Sequence, residues 1–261
     1  MKRGRGQFSR MILSAESWLV YLFLYAPIVI LIIFSFNSSR YAIWQGFSLQ
    51  WYRTLANDDL ILRSLKNSLI VALAATVAST IIGTLAALGM QRFQFKGKGA
   101  AEGLFYLPVI VPEIVMAASL VVFFGFIRFR LGMTSVILAH IAFCVSYVVI
   151  VVRARLEGFD RTVEEAAMDL GANELQTFFR ITLPLIMPGI LSGALLAFTL
   201  SIDDYLITSF VAGVGSTTLP LQIYSMVKTK VTPEINAVST LLLIPTIILV
   251  VISDRLQREK K

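Results

Sequence analysis

Three carboxylates lie in stretches where a carboxylate is costly. Asp203 and Asp204 interrupt an apolar run at 186–211, within Ser201-Ile202-Asp203-Asp204-Tyr205, and Glu113 follows Pro108 and Pro112 in a run at 104–127. An Asp at mid-bilayer costs about 2.5–3.5 kcal/mol, so such residues normally face a bundle interior or a water-filled path. No basic residue interrupts either run. Acids without buried bases suit a cation, and an ammonium group is also held by aromatic faces. Trp51, Tyr106, Tyr147 and Tyr205 are available for that. A flexible di- or tri-amine matches acids set at several depths. Neighbours on a helix point about 100° apart, so Asp203 and Asp204 both face one cavity only if it is wide or the helix is broken there. The competing reading is that the pair caps a broken helix or lies at an outer mouth, and that Glu113 caps the helix that begins after Pro112.

The elements that must position these acids are membrane spans. Of 261 residues, 57% are hydrophobic and only 15% charged, against about 25% charged in a soluble domain. Six runs have the roughly 20-residue length that crosses a bilayer: 18–36, 68–90, 104–127, 133–152, 186–211 and 237–252. The first follows Lys2, Arg3, Arg5 and Arg10 but is too long for a signal peptide, so it reads as a retained span. With the N-terminus inside, 15 of the 23 Lys and Arg fall on the cytoplasmic side and 8 outside, which places both termini in the cytoplasm. Arg128 and Arg130 crowd a short outside turn and fit this least well. The expected class is an all-α membrane protein of one domain, residues 1–261, with six transmembrane helices. The net charge of +7 is spread in short groups beside apolar runs, which argues against nucleic acid. Cys144 is a lone, packed cysteine, and His140 is expected to bond a neighbouring helix. No phosphate loop, H-E-x-x-H or nucleophile elbow is present, and Gly97-Lys98-Gly99 reads as a basic turn. Neither a metal site nor a catalytic residue is expected.

A polar island, 153–185, separates the fourth and fifth runs. Its segment EAAMDLGANELQTFFRITLP, 165–184, reads as two short helices. Thr162 and Glu165 have capping-box spacing, Asn173 can cap the second helix, and Gly171 supplies the turn between them. Pro184 is expected to end the unit. Ala166 and Ala167 allow another surface to come close, and Leu175, Phe178 and Phe179 offer an apolar knob to a groove.

Glu165-Ala166-Ala167, Gly171 and Ile181-x-Leu183-Pro184 match the EAA-loop signature, and the chain resembles the permeases of binding-protein-dependent ABC importers. The resemblance implies the type I ABC importer permease fold. It also implies a coupling helix seated in a separate cytoplasmic ATPase, with Glu165, Ala166, Ala167, Gly171, Glu174 and Phe178 at that contact. ATP and Mg would be bound by that partner, so the chain needs no cofactor of its own. Further stretches narrow the likeness: Phe198 to Asp204, Pro112 to Ala117, Asn37-Ser38-Ser39-Arg40, Trp44-Gln45-Gly46-Phe47, Trp51-Tyr52, Leu221 to Val227 and Pro233 to Ala237. They are similar to spermidine/putrescine permeases of the PotC/PotI type. That resemblance implies that Trp51, Glu113, Ser201, Asp203 and Asp204 touch or steer a polyamine. It implies a bacterial inner-membrane location, a second permease subunit, a periplasmic or extracellular binding protein, and no nucleic acid. Relatives often carry Asp where Glu113 stands. Alternatives are an ABC permease for another cationic or small solute and an ion-coupled secondary transporter.

Overall fold

A computed structural model describes residues 3–41, 43–229 and 233–258, with side chains from residue 13 to residue 248 of these. The side chains of the basic N-terminal cluster and those after 248 therefore lie outside the description. The chain forms two compact units, Met1–Asp58 with Ser225–Ile244, and Asp59–Tyr224 with Pro245–Lys261. Apart from one isolated bridge between Asn37 and Phe47, the described residues form helices and loops.

The first unit carries α1 (Arg3–Phe34) and α2 (Gln50–Ala56). Along Leu13–Phe34 α1 is strongly apolar yet buries none of its side chains. Trp18, Leu22 and Phe23 are each more than two-thirds exposed. Such a surface is tolerable only against lipid or another protein. A closed loop follows. Asn37, buried, accepts the N–H groups of Ser39 and Gln45 on Oδ1 and donates Nδ2 to the Ile43 carbonyl. Phe36 stacks on Phe47 at 5.3 Å between ring centres.

The second unit holds α3 (Asp59–Arg92), α4 (Lys98–Ile110), α5 (Glu113–Phe126), α6 (Met133–Glu157), α7 (Thr162–Asp169), α8 (Glu174–Thr177), α9 (Leu183–Asp203) and α10 (Leu206–Val211). Two further helices, α11 (Leu219–Thr229) and α12 (Pro233–Arg258), contribute residues to both units. Long helices α3, α6 and α9 form the core. Their contact is built on small residues, the usual device where lipid removes any hydrophobic drive between helices. A Cβ at Gly83 of α3 would lie 2.7 Å from the Val148 side chain of α6, and one at Gly189 of α9 would lie 2.6 Å from Arg155 Cβ. Both positions are therefore glycine for space. Val148, Val152, Ile186, Ala139 and Ala197 are buried in the same cluster.

Four helices among the described residues are long and apolar enough to cross a membrane: Leu13–Phe34, Asp59–Arg92, Met133–Glu157 and Glu174–Asp203. The run at 104–127 is not one straight helix. Lys98–Ile110 and Glu113–Phe126 meet at a 111° bend, and taken as one broken span they make a fifth. Pro112 explains the bend: it has no N–H to give α4 and forces Val111 into extended backbone, ψ 133°. The described apolar part of α12, Pro233–Ile248, is shorter than a span.

Candidate functional site

The helix that carries the paired acids breaks between them. α9 stops at Asp203; Asp204 is extended, φ −65° and ψ 126°, and α10 restarts at Leu206. Breaking a helix leaves N–H groups without partners at the new start. Asp204 supplies them. Its Oδ1 accepts the Ile207 N–H at 3.1 Å, and its Oδ2 accepts the Thr208 N–H at 2.8 Å and the Thr208 hydroxyl at 2.9 Å. The Nε2 of His140, on α6, lies 3.1 Å from the same Oδ2. Asp204 and His140 are both almost fully buried. His140 Nδ1 meets Ser201 Oγ at 2.7 Å. A carboxylate can only accept, so Nε2 donates to Asp204, while Nδ1 shares a hydrogen bond with the Ser201 hydroxyl.

Asp203, by contrast, is exposed in a cleft of about 500 Å³. Glu113, Tyr147, Thr199, Tyr205 and the edge of Asp204 line the same cleft. The Thr246 hydroxyl of α12 reaches the Asp203 carboxylate, and the Glu113 carboxyl comes within hydrogen-bond reach of Asp204. Tyr205 stacks against Tyr224 with ring centres 4.3 Å apart, and Tyr147 packs edge-on against Phe143 at 5.0 Å. Among the described residues, no Lys or Arg lines this space. The arrangement offers negative charge, ring faces and room for an extended cation. It holds no nucleophile with an adjacent base.

At the far end of the same continuous helical stretch, Glu174–Asp203, lies the polar loop. Gly171 has φ +93°, a left-handed backbone that costs a side-chain-bearing residue about 1–2 kcal/mol. Asn173 caps α8, accepting the Gln176 N–H at 2.8 Å while Gln176 Oε1 accepts the Asn173 N–H at 3.1 Å. Thr162 does not cap α7. The carboxylate of Asp160 accepts the Thr162 N–H at 3.0 Å, and that bond holds the Asp160 carboxyl below the usual range. Pro184 does not end the unit either. A π-turn at Phe178–Thr182 joins α8 to α9, with Leu183 N–H bonded to the Phe178 carbonyl. The proline falls in the first turn of α9, where the wider turn accommodates its missing N–H.

The family model described as binding-protein-dependent transport system inner membrane component matches residues 79–258. The chain belongs to this family. The permease is 44% identical over 247 residues to the spermidine/putrescine transport system permease protein PotC of Haemophilus influenzae, covering 94% of this chain and 96% of that one. It is 46% identical over 231 residues to the putrescine transport system permease protein PotI of Escherichia coli K12, covering 85% and 82%. In fold it is similar to a solved bacterial ABC transporter involved in import of the acidic polysaccharide alginate, with TM-score 0.76 at 17% identity, covering 98% of each chain. This is a multi-pass inner-membrane protein with the fold of a type I ABC importer permease.

The residues singled out by sequence separate within the permease. Glu113 and Asp203 share the cleft. Asp204 borders it, but its oxygens are occupied by the start of α10 and by His140. Ser201 is turned away from the cleft, buried on His140, because its place one turn before the break faces α6. Trp51, in the other unit, is buried and donates its indole N–H to the Asn37 carbonyl at 2.7 Å, so it closes the loop after α1. In the polar loop Glu165, Ala166 and Glu174 are exposed and Ala167 half-buried. Phe178 packs against the core, and the most exposed apolar side chains are Leu170, Leu175 and Phe179, with Val163 and Met168 also exposed. Sequence reasoning missed Glu164. It bonds Arg92 at 2.5 Å and accepts the Thr182 hydroxyl, tying α7 to the end of α3 and the start of α9. Arg161 adds a bond to the Gln91 carbonyl at 2.8 Å.

Proposed function

We propose that this permease is the transmembrane subunit of an ATP-driven importer of polyamines, spermidine or putrescine. The observation that carries the reading is the cleft at the helix break, where Glu113 and Asp203 stand among tyrosines with no basic residue among the described lining. The names of the relatives point to the same substrate class. Protonated amines would exchange hydration for the Asp203 and Glu113 carboxylates and the faces of Tyr147 and Tyr205. Asp204 would act by holding the break open, and Ser201 through His140. Trp51 would shape the loop that receives the amine.

The chain itself would carry out no catalysis. Its partner ATPase would bind ATP and Mg and seat the loop residues Glu165, Ala166, Ala167, Gly171, Glu174 and the exposed Phe179 in a groove, with Phe178 anchoring the loop to the core. Six spans with both termini in the cytoplasm put that loop on the side of the ATPase; the sixth would be the helix through 237–252. A second permease subunit would supply the other half of the route, and a soluble binding protein would deliver the amine from outside. ATP binding and hydrolysis would then alternate the access of the cleft.

Uptake of labelled spermidine and putrescine tests this, in cells that express the permease with its ATPase, second permease and binding protein. Uptake should require the ATPase and be suppressed by unlabelled polyamine but not by neutral amino acids. Uptake that survives loss of the ATPase and collapses with the ion gradient would instead make the chain a secondary transporter.

A further inference from the structure

We propose that His140 is a positioning residue for transport: a clamp across the broken helix that fixes the mouth of the acid cleft. This rests on the reading of the cleft as the amine site. His140 is not itself part of the cleft lining and is bonded to one of its residues, Asp204. Its two ring nitrogens engage opposite sides of the break. Nδ1 holds Ser201 Oγ in the last turn of α9, and Nε2 holds Asp204 Oδ2 at the break and Thr208 Oγ1, 3.0 Å away, in the first turn of α10.

The helix after a break is free to rewind or swing unless something fixes the angle between its halves. Asp204 caps only α10, and apart from His140 and the Glu113 carboxyl its partners are local to that segment. The imidazole is the side chain that joins both halves to a third element, α6. Cys144, one turn further along α6, adds only a weak contact to the Ala197 carbonyl at 3.6 Å. The cleft is lined from both sides of the break, by Thr199 and Asp203 before it and by Tyr205 and Leu206 after it. Its width therefore depends on the angle the clamp sets. A buried histidine serves here because one rigid ring presents a hydrogen-bonding nitrogen to each side of the break.

The test uses the whole transporter, solubilised, with Cys144→Ser as background and Asp203→Cys as reporter of cleft access. The rate of modification by a small cationic methanethiosulfonate is compared for His140, His140→Gln and His140→Leu. Gln keeps one acceptor and one donor; Leu keeps bulk alone. Losing hydrogen bonds to a buried carboxylate shifts the clamped fraction about tenfold, so Leu should slow modification about that much, with Gln within a few-fold of His140. Equal slowing in both variants would reduce the ring to packing, and no slowing in either would remove the clamp. Should the Leu variant fail to assemble with the ATPase, Ser201→Ala removes the α9 half alone, and an unchanged rate there would overturn the proposal. Parallel uptake with Asp203 intact separates the two ideas. A Leu variant with raised KM for spermidine supports both. The labelling pattern without any polyamine uptake leaves the clamp standing and removes the amine reading.

Discussion

Replacing each of the two adjacent acids with its amide should produce opposite phenotypes. Beside the Glu113 carboxyl within its reach, Asp204 accepts four hydrogen bonds: from Ile207 N–H, Thr208 N–H, the Thr208 hydroxyl and His140 Nε2. In Asp204→Asn one oxygen becomes an NH2 that can only donate. Oriented at the Oδ1 place it loses the bond from Ile207, and the other three lose their charged acceptor. Oriented at the Oδ2 place it loses three. Hydrogen bonds to a charged group contribute about 1.5–3 kcal/mol each, so the cheaper orientation costs about 3 kcal/mol. For a chain of this size that lowers Tm by about 6–12 °C. Asp203→Asn removes a charge from the cleft and keeps the contact to Thr246, so Tm should stay unchanged. Losing one charge-assisted bond to an ammonium, about 1.5–3 kcal/mol, should raise the KM for polyamine about 10- to 100-fold. Thermal unfolding of the purified transporter and uptake kinetics measure the two effects. An unshifted Tm in Asp204→Asn together with a wild-type KM in Asp203→Asn would refute the division of labour between them.

Three further outcomes follow from the loop and the core. Gly171→Val should distort the elbow at φ +93°, costing about 1–2 kcal/mol locally, and should uncouple ATP hydrolysis from uptake in proteoliposomes. Phe179→Ser should weaken co-purification of the ATPase without lowering Tm, while Phe178→Ala, which empties a core contact, should lower stability by about 3 kcal/mol; the reverse pattern would invert their roles. Gly83→Ala places a methyl 2.7 Å from Val148 and should destabilise by about 1–3 kcal/mol. Val148→Ala in the same chain should recover part of that loss in a thermal melt.

What could be read from sequence differed by residue. The EAA spacing, the Gly171 elbow and the Asn173 cap were legible because each is local: the residues that interact lie within a few positions of one another. Asp203 and Asp204 were not separable, since both are acids on one helix. What separates them is Thr208, one turn downstream, and His140, more than sixty residues away. Likewise Phe178 and Phe179 are identical as letters, and only the packing of the π-turn against the core assigns one to the inside. Glu164 and Glu165 are both helix-forming acids, and the choice of Glu164 as the anchor is made by Arg92 on α3. The 111° bend at Pro112 was foreshadowed by the two prolines, but hydropathy alone draws a single uninterrupted span through 104–127.

The π-turn that carries the chain through Phe178–Thr182 without a stop has a mechanical consequence. Residues 174–203 form one unbroken rod of 30 residues, about 45 Å long at 1.5 Å per residue. Its tip at the polar loop bears the exposed Leu175 and its opposite tip bears Asp203. A tilt imposed on the loop would reach the carboxylate through this one helix, whose irregular points are the π-turn and Pro188.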